Sequence, residues 1–352
     1  MDKEAAVDPA RPAPDDRNAL VLKLSEHALA YLHSATLRAA ARLGVADHLA
    51  DGPRTPDQLA ALTGADAGHL RRALRLLATR DVFREDETGA FALTPLAELL
   101  RSDVPRSMRE AVSMLSDDTF WRPAGRLEET VRAGRTVFDD IFGASFFDYL
   151  ASSEELGAAF DTGMAALSDG ENSAIAAACP LPATGVVADV GGGRGGLLRE
   201  VLLRGRKLTG VLYDRAAVVR GHALEGPELA GRWRVESGDF FTSAPAADVY
   251  LVKRVLHDWD DEDCLRILRA CRAAMTEDSR LLVIDAVLPR DNAPHHGKSL
   301  DVLMMTSLPG RERGADDFRR LLTEAGLTMI RIHPTASSLS VVEAAVAAAK
   351  AD

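Results

Sequence analysis

The sequence predicts an α/β protein: a doubly wound, mostly parallel sheet with one antiparallel strand, preceded by a mostly helical domain with a winged-helix pattern. Three observations predict it. Apolar residues recur at three- and four-residue spacing from residue 18 to 180, the period of a buried helix face. From residue 183 onward, short apolar runs alternate with helical stretches, as parallel strands joined by helices require. The first of those runs ends in DVGGGRGG, a glycine turn ahead of a helix. A chain of 352 residues holds about two domains at roughly 100–200 residues each. The expected division is a charged, Pro-rich, disordered tail over 1–17, a helical domain over 18–180 and the sheet domain over 181–352.

The helical half opens with Ala- and Leu-rich helices in LVLKLSEHALAYLHSATLRAAARLGVADHLA. Thr55 or Asp57 then caps a short helix, Thr63, Gly64, Ala65 and Asp66 form a turn, and a second helix runs through Arg80. Two strand-like runs, 82–84 and 90–93, flank an acidic turn containing Gly89. Helix, turn, helix and hairpin make a winged helix, a module that either reads DNA or packs in dimers. Arg71, Arg72 and Arg75 lie on its second helix, but residues 51–100 hold eight acids against six arginines, which argues against DNA. In the sheet half, strands are expected at 186–190, 208–213, 232–236, 249–252 and 280–287. The C-terminal LTMIRIHPTASSLSVVEAAV reads as a hairpin that supplies the antiparallel strand.

Composition narrows the function. There are 53 acids against 42 Lys and Arg, a net charge of −11, so the chain lacks the basic footprint of a nucleic-acid binder. No apolar run reaches the roughly 20 residues of a membrane span, and the N-terminus lacks a signal peptide's apolar core. A cytoplasmic protein without nucleic-acid or membrane partners is expected. Cys179, Cys264 and Cys271 form no C-x-x-C and cannot all pair, which suits a reducing compartment.

Five stretches carry chemistry. In the first, Asp189 precedes Gly191, Gly193 and Gly196, whose spacing also satisfies the dinucleotide pattern G-x-G-x-x-G. A carboxylate beside the turn would repel a pyrophosphate and suits a cationic ligand better. Second, Asp214 ends the next strand, where an acid can accept both ribose hydroxyls of an adenosine, or else cap a helix. Third, Gly238-Asp239-Phe240-Phe241 offers a carboxylate and an aromatic face to an adenine, or a turn with core aromatics. Fourth, a strand runs into Lys253-Arg254-Val255-Leu256-His257-Asp258-Trp259, so His257 lies at the carboxyl end of the sheet, where an imidazole can be a general base. Asp260 and Asp263 after it read as a helix cap and first-turn acid. Fifth, Asp285 in the apolar LLVIDAVLP and Glu312 in LPGRERGADDF can hold that ring, although Glu312 alone reads equally as a surface ion pair.

Taken together, DVGGGRG, the strand-end acid, GDFF, VLHDWDDEDC and PGRER resemble the S-adenosylmethionine-dependent O-methyltransferases, specifically the plant-type phenolic group (caffeate and isoflavone enzymes) and its bacterial antibiotic-pathway members, such as the mitomycin and anthracycline enzymes. The resemblance covers residues 20–346 and implies a Rossmann-like sheet behind a winged-helix dimerisation domain, hence a homodimer. It implies that Gly191 and Gly193 line the cofactor, Asp214 holds its ribose, Asp239 and Phe240 its adenine, Lys253 its adenosyl part and Ser168 its methionine carboxylate. It also implies His257 as the catalytic base, flanked by Asp285 and Glu312, with Asp258 at the acceptor. Met164 and Met304 would sandwich the acceptor ring, with Phe147 and Trp121 among the aromatic residues around it. No metal is called for. Arg254 departs from the family, where His is common, and so does the setting of Asp214 between Tyr213 and Arg215.

The implied reaction is in-line methyl transfer to a phenolic hydroxyl of a polyketide-like intermediate, with S-adenosylhomocysteine as product. Some members of the group have drifted to non-methylating chemistry such as hydroxylation; His257, standing in register, favours methyl transfer. Two alternatives come from other classes: a nicotinamide-dependent oxidoreductase, resting on the glycine spacing, and a winged-helix regulator, resting on Arg71, Arg72 and Arg75.

Overall fold

The computed structural model describes residues 14–348. Residues 1–13 of the expected tail lie outside the described residues, and its last part is helical, since the first helix begins at Pro14. The chain forms two compact units that divide between Ser116 and Asp117.

In the first unit, helices Pro14–Ala28 and Ala30–Arg42 precede the winged-helix motif. Thr55, rather than Asp57, caps helix Pro56–Thr63, in a reciprocal capping box with Gln58. Gly64 ends that helix at φ 71°, a left-handed conformation that costs a glycine little, and Asp66 caps helix Ala67–Ala78. The wing is β1 (Phe83–Glu85) paired antiparallel with β2 (Phe91–Leu93). Leu59, Leu70, Leu74, Leu77, Phe83 and Phe91 close the core beneath it. Arg71 and Arg75 both pair with Glu85 on β1, which ties the second helix to the wing. Leu20, Val21, Leu22 and Leu24 on the first helix are exposed.

The second unit holds a seven-stranded sheet. Its strands are β3 (Gly185–Val190), β4 (Leu208–Asp214), β5 (Trp233–Ser237), β6 (Val249–Lys253) and β7 (Arg280–Asp285), then β10 (Leu327–Pro334) and β11 (Ser340–Val346). Across the sheet the order is β10-β11-β7-β6-β3-β4-β5. The first five strands are parallel; β11 runs antiparallel to β7 and to β10, so it is the one reversed strand, as expected. Leu281 and Val283 join the core on one face, Leu282 and Ile284 the core on the other. Burial on both faces explains why the inner parallel strands β3, β4, β6 and β7 read as apolar runs.

Two expectations need correction. The run 280–287 is not one strand: β7 ends at Asp285, and Val287–Leu288 forms a separate strand, β8, paired with β9 (Arg313–Gly314). The helices of residues 117–178 belong to the sheet unit, not to the first unit as a boundary at 180 implies. They are tied to it by side chains: Thr136 Oγ1 donates to the Thr306 carbonyl at 2.6 Å, and Lys253 Nζ to Asn172 Oδ1 at 2.7 Å. Helical periodicity alone does not say which core a helix joins.

Candidate active site

The strand order reverses at β3, whose neighbours are β4 and β6, so the carboxyl ends of these three strands open a crevice. The glycine turn follows β3. Gly191, Gly193 and Gly195 have φ of 68°, 58° and 80°, a region that favours glycine. A Cβ on Gly191 would lie 2.6 Å from Val255 Cγ2 and 3.5 Å from Phe240, so this turn and the one after β6 are in close contact. A Cβ on Gly193 would meet nothing within 4 Å.

Carboxylates line the turn. Asp189 is buried, and its Oδ2 has no hydrogen-bond partner. Burial pushes it up to about 7, against the pull of Lys253. Asp214, at the end of β4, accepts the Gly193 N–H at 2.9 Å and the Arg215 N–H at 2.7 Å. Burial raises its carboxyl, and those two N–H groups oppose the rise. Asp239 is exposed and accepts the Phe241 N–H at 2.9 Å, a turn-closing bond that leaves the residue open to solvent.

Lys253 ends β6 with its ammonium against Asn172 and, at 3.3 Å, Glu171; burial pushes it down to about 8, and Glu171 opposes that. Arg254 follows at φ 52°, an uncommon conformation for a side-chain-bearing residue, and donates from Nε and Nη2 to the two carboxylate oxygens of Glu171. Glu171 is therefore the shared counter-ion of both cations.

His257 lies in the 3-10 turn Leu256–Asp258 and is 6% exposed. Its Nδ1 is 2.8 Å from Glu312 Oε1, and its Nε2 3.4 Å from Asp258 Oδ1. An ionised Glu312 can only accept, so Nδ1 carries the proton and Nε2 is left facing outward from that bond. Asp285 is fully enclosed with neither carboxylate oxygen bonded, and its charge acts on the ring. Burial opposes the imidazolium, but Asp258, the bond to Glu312 and the charge of Asp285 outweigh it and raise the ring to about 9. Burial pushes Asp258 up to about 6 against the pull of His257, and pushes Asp285 up as well. Glu312 is 2% exposed, which excludes the surface ion-pair reading. The β8–β9 pairing sets Val287 opposite Arg313, and so brings Asp285 and Glu312 to one ring.

Trp259, two residues beyond His257, was not singled out by the sequence. It stacks on Phe147 at 5.4 Å and meets the edges of Phe241 and Phe240 at 4.7 and 6.3 Å. Its signal was its place in the HDW run. Glu171 and Arg313 were missed too: neither follows a strand, and only their burial marks them. Met164 and Ser168 lie half-buried one turn apart on helix Glu154–Asp169. Met304 is buried in helix His296–Ser307, and Trp121 half-buried in Asp118–Ala124. These four are thus placed on helices of the same unit as the crevice, without a bond to the His257 cluster. The His295–His296 pair is used locally, His295 Nδ1 accepting the Gly297 N–H. Among the described residues no group of three or more His, Cys, Asp and Glu is arranged to hold a metal, and no helix is long and apolar enough to cross a membrane.

Residues 125–328 match the O-methyltransferase domain family and residues 25–103 the O-methyltransferase dimerisation domain. Among curated proteins, the chain is 39% identical to the phenazine O-methyltransferase PhzM of Lysobacter antibioticus, over 89% of this chain and 93% of that one. It is 38% identical to the mitomycin biosynthesis 6-O-methyltransferase of Streptomyces lavendulae, over 85% and 86%. Among solved structures, CalO1, a methyltransferase in calicheamicin biosynthesis in its SAH-bound form, superimposes with a TM-score of 0.87 at 48% identity, over 94% of this chain and 99% of that one.

Proposed function

The chain belongs to the O-methyltransferase family and is an S-adenosylmethionine-dependent enzyme; from that premise we propose that it methylates a phenolic hydroxyl of an aromatic natural-product intermediate, as a homodimer, with His257 as general base. The observation that carries the proposal is the buried His257–Glu312 bond, two residues beyond Val255, which packs against Gly191 of the glycine loop.

The residues fit the cofactor. Gly193 leaves room for close approach, Gly191 lets the turn pack against Val255 and Phe240 beside it, and the unpartnered Asp189 Oδ2 favours a cationic ligand. Asp214 would hold the ribose, Asp239 and Phe240 the adenine, Lys253 the adenosyl part and Ser168 the methionine carboxylate. Bound there, the group supplies an electrophilic methyl on a sulfonium. The same orphaned carboxylate disfavours a dinucleotide pyrophosphate, and with it the oxidoreductase alternative.

The chain's own work is to place and deprotonate the acceptor. Met164, Met304, Phe147 and Trp121 would grip its ring, with the hydroxyl in line with the departing sulfur. Phenols have a pKa near 10, so only about one in a thousand is ionised at pH 7. Glu312 keeps the proton on Nδ1 and leaves the Nε2 lone pair to take the phenol proton. A ring at about 9 is close to a phenol, so the transfer is nearly balanced in energy. Asp258 and Asp285 offset the imidazolium as it forms. General-base help of this kind contributes about 10²–10⁴-fold.

The experiment is a thermal shift with S-adenosylhomocysteine beside NADH and NADPH. A ligand at 100 times its Kd adds about 2.7 kcal/mol to the folded state. A shift with S-adenosylhomocysteine alone is the expected result; a shift with a nicotinamide instead overturns the reading.

A further inference from the structure

The turn that carries His257 is closed by only two bonds of its own backbone. The Asp258 N–H reaches the Val255 carbonyl at 3.1 Å, and the Trp259 N–H the Leu256 carbonyl at 3.3 Å. Two backbone bonds by themselves do not hold an imidazole to a fraction of an ångström. The Cys264 Sγ adds weak contacts to the Leu256 and Trp259 carbonyls, at 3.1 and 3.5 Å, and the charged support comes from one short segment, residues 310–313. Glu312 takes the ring. Arg313, 1% exposed, takes the backbone on both sides of it: Nη1 donates to the Leu256 carbonyl at 2.6 Å and Nη2 to the Trp259 carbonyl at 2.9 Å. Nε and Nη2 also donate to Asp261 Oδ1, at 3.1 and 2.8 Å, and Nη1 reaches the Arg311 carbonyl at 3.4 Å. All five N–H groups of the guanidinium therefore have an acceptor.

Gly310 completes the grip. A Cβ there would lie 1.9 Å from the His257 carbonyl oxygen and 2.3 Å from the Asp258 carbonyl carbon, so the two backbones are in direct contact. β9 anchors the segment, since Arg313 pairs with Val287 just beyond Asp285.

We propose that Arg313 is the positioning residue of the general base: it spans the turn from Leu256 to Trp259 and so fixes where Glu312 and Asp258 meet the His257 ring. The proposal rests on the reading of His257 as the base. Arg313 touches no substrate; it acts through the backbone. A lysine carries three donors on one point and cannot span both carbonyls and Asp261. The charged groups facing His257 are Asp258 from its own turn, Glu312 from the 310–313 segment and Asp285 from β7, with Arg254 acting on both aspartates.

The test uses histidine-labelled full-length protein saturated with S-adenosylhomocysteine, with the His257 ring titrated by NMR. Arg313→Lys is expected to bind S-adenosylhomocysteine within a few-fold of the parent by calorimetry. Its His257 midpoint falls by about one pH unit, the equivalent of a tenfold loss in the ring's proton affinity. Its kcat with 1,4-dihydroxy-2-naphthoic acid, the molecule bound in the solved NcsB1 complex, falls about 10–100-fold, as for a misplacement near 1 Å. A purely structural residue would lower the Tm and leave the midpoint in place, and that result overturns the proposal. If Arg313→Lys fails to bind the cofactor product, Asp261→Asn carries the test. Asp261 is one-third exposed, and the amide removes the charge that draws the guanidinium while the bonds to the carbonyls remain. An unmoved His257 midpoint in that variant also overturns the proposal. His257→Gln, run alongside, separates the two readings. Normal turnover in that variant removes the base assignment whatever Arg313 does. Loss of turnover there, with Arg313→Lys unchanged, removes the clamp alone.

Discussion

Replacing Glu312 by Gln removes one negative charge 2.8 Å from His257 Nδ1 while keeping a side chain of the same size. A hydrogen bond to a charged group contributes about 1.5–3 kcal/mol. At 1.36 kcal/mol per pKa unit, its loss lowers the ring by about 1–2 units. The parent ring stands at about 9. Its neutral fraction is then about 1% at pH 7 and about half at pH 9, so kcat/KM climbs roughly 50-fold over that range. In Glu312→Gln the same climb ends one to two units lower. The plateau falls as well, by about 10–1,000-fold, because an amide can present either its oxygen or its NH₂ to Nδ1 and no longer enforces the tautomer. The assay is a pH–rate profile from pH 6 to 10 at constant ionic strength, following S-adenosylhomocysteine release. NMR titration of His257 in the cofactor-product complex locates the ring independently of the acceptor's own ionisation. An ascending limb at the same pH in both proteins refutes the reasoning, because the carboxylate would then not be what raises the ring.

Two further outcomes follow from the same geometry. The His257 ring is raised above its unfolded value near 6.5, so its stabilisation is fully present below that pH and lost as pH rises through about 9. Lys253, pushed down to about 8, works in the opposite sense, so the comparison must be made against His257→Gln. The parent's advantage in Tm over that variant should be largest at pH 6 and shrink toward pH 10; a gap that widens with pH contradicts the sign. Gly191→Ala combines a φ of 68° with a Cβ 2.6 Å from Val255. The left-handed backbone costs about 1–2 kcal/mol, and overpacking adds about 1–3 kcal/mol. Gly231→Ala, at φ 72° with nothing within 4 Å, isolates the first cost. Gly191→Ala should lose more stability than Gly231→Ala and bind S-adenosylhomocysteine at least tenfold more weakly, both read by calorimetry. Equal losses would mean the glycine loop does not meet the β6 turn as described.

What could be read from the chain alone was local. Apolar runs located the inner parallel strands β3, β4, β6 and β7 to within a residue or two, because burial on both faces leaves little choice of side chain. Cap residues placed the helix starts: Thr55 before one helix and Asp260 before another accept N–H groups of the first turn. His257 and the glycine turn were legible because each directly follows a strand that the sequence marks. Other features are long-range and left little trace. Whether Asp285 and Glu312 share one imidazole depends on a two-residue pairing between β8 and β9, too short for any periodicity to show. That residues 117–178 join the sheet unit depends on contacts such as Thr136 with Thr306, 170 positions apart. Arg313 looked like one more charge in PGRER; only burial, which no composition reports, turned it into a guanidinium whose five N–H groups all find acceptors around the turn of His257. Short-range spacing determines where strands, turns and caps fall, because backbone geometry repeats over a few residues. Which charges end up facing one another is decided only when the chain closes on itself and removes water from between them.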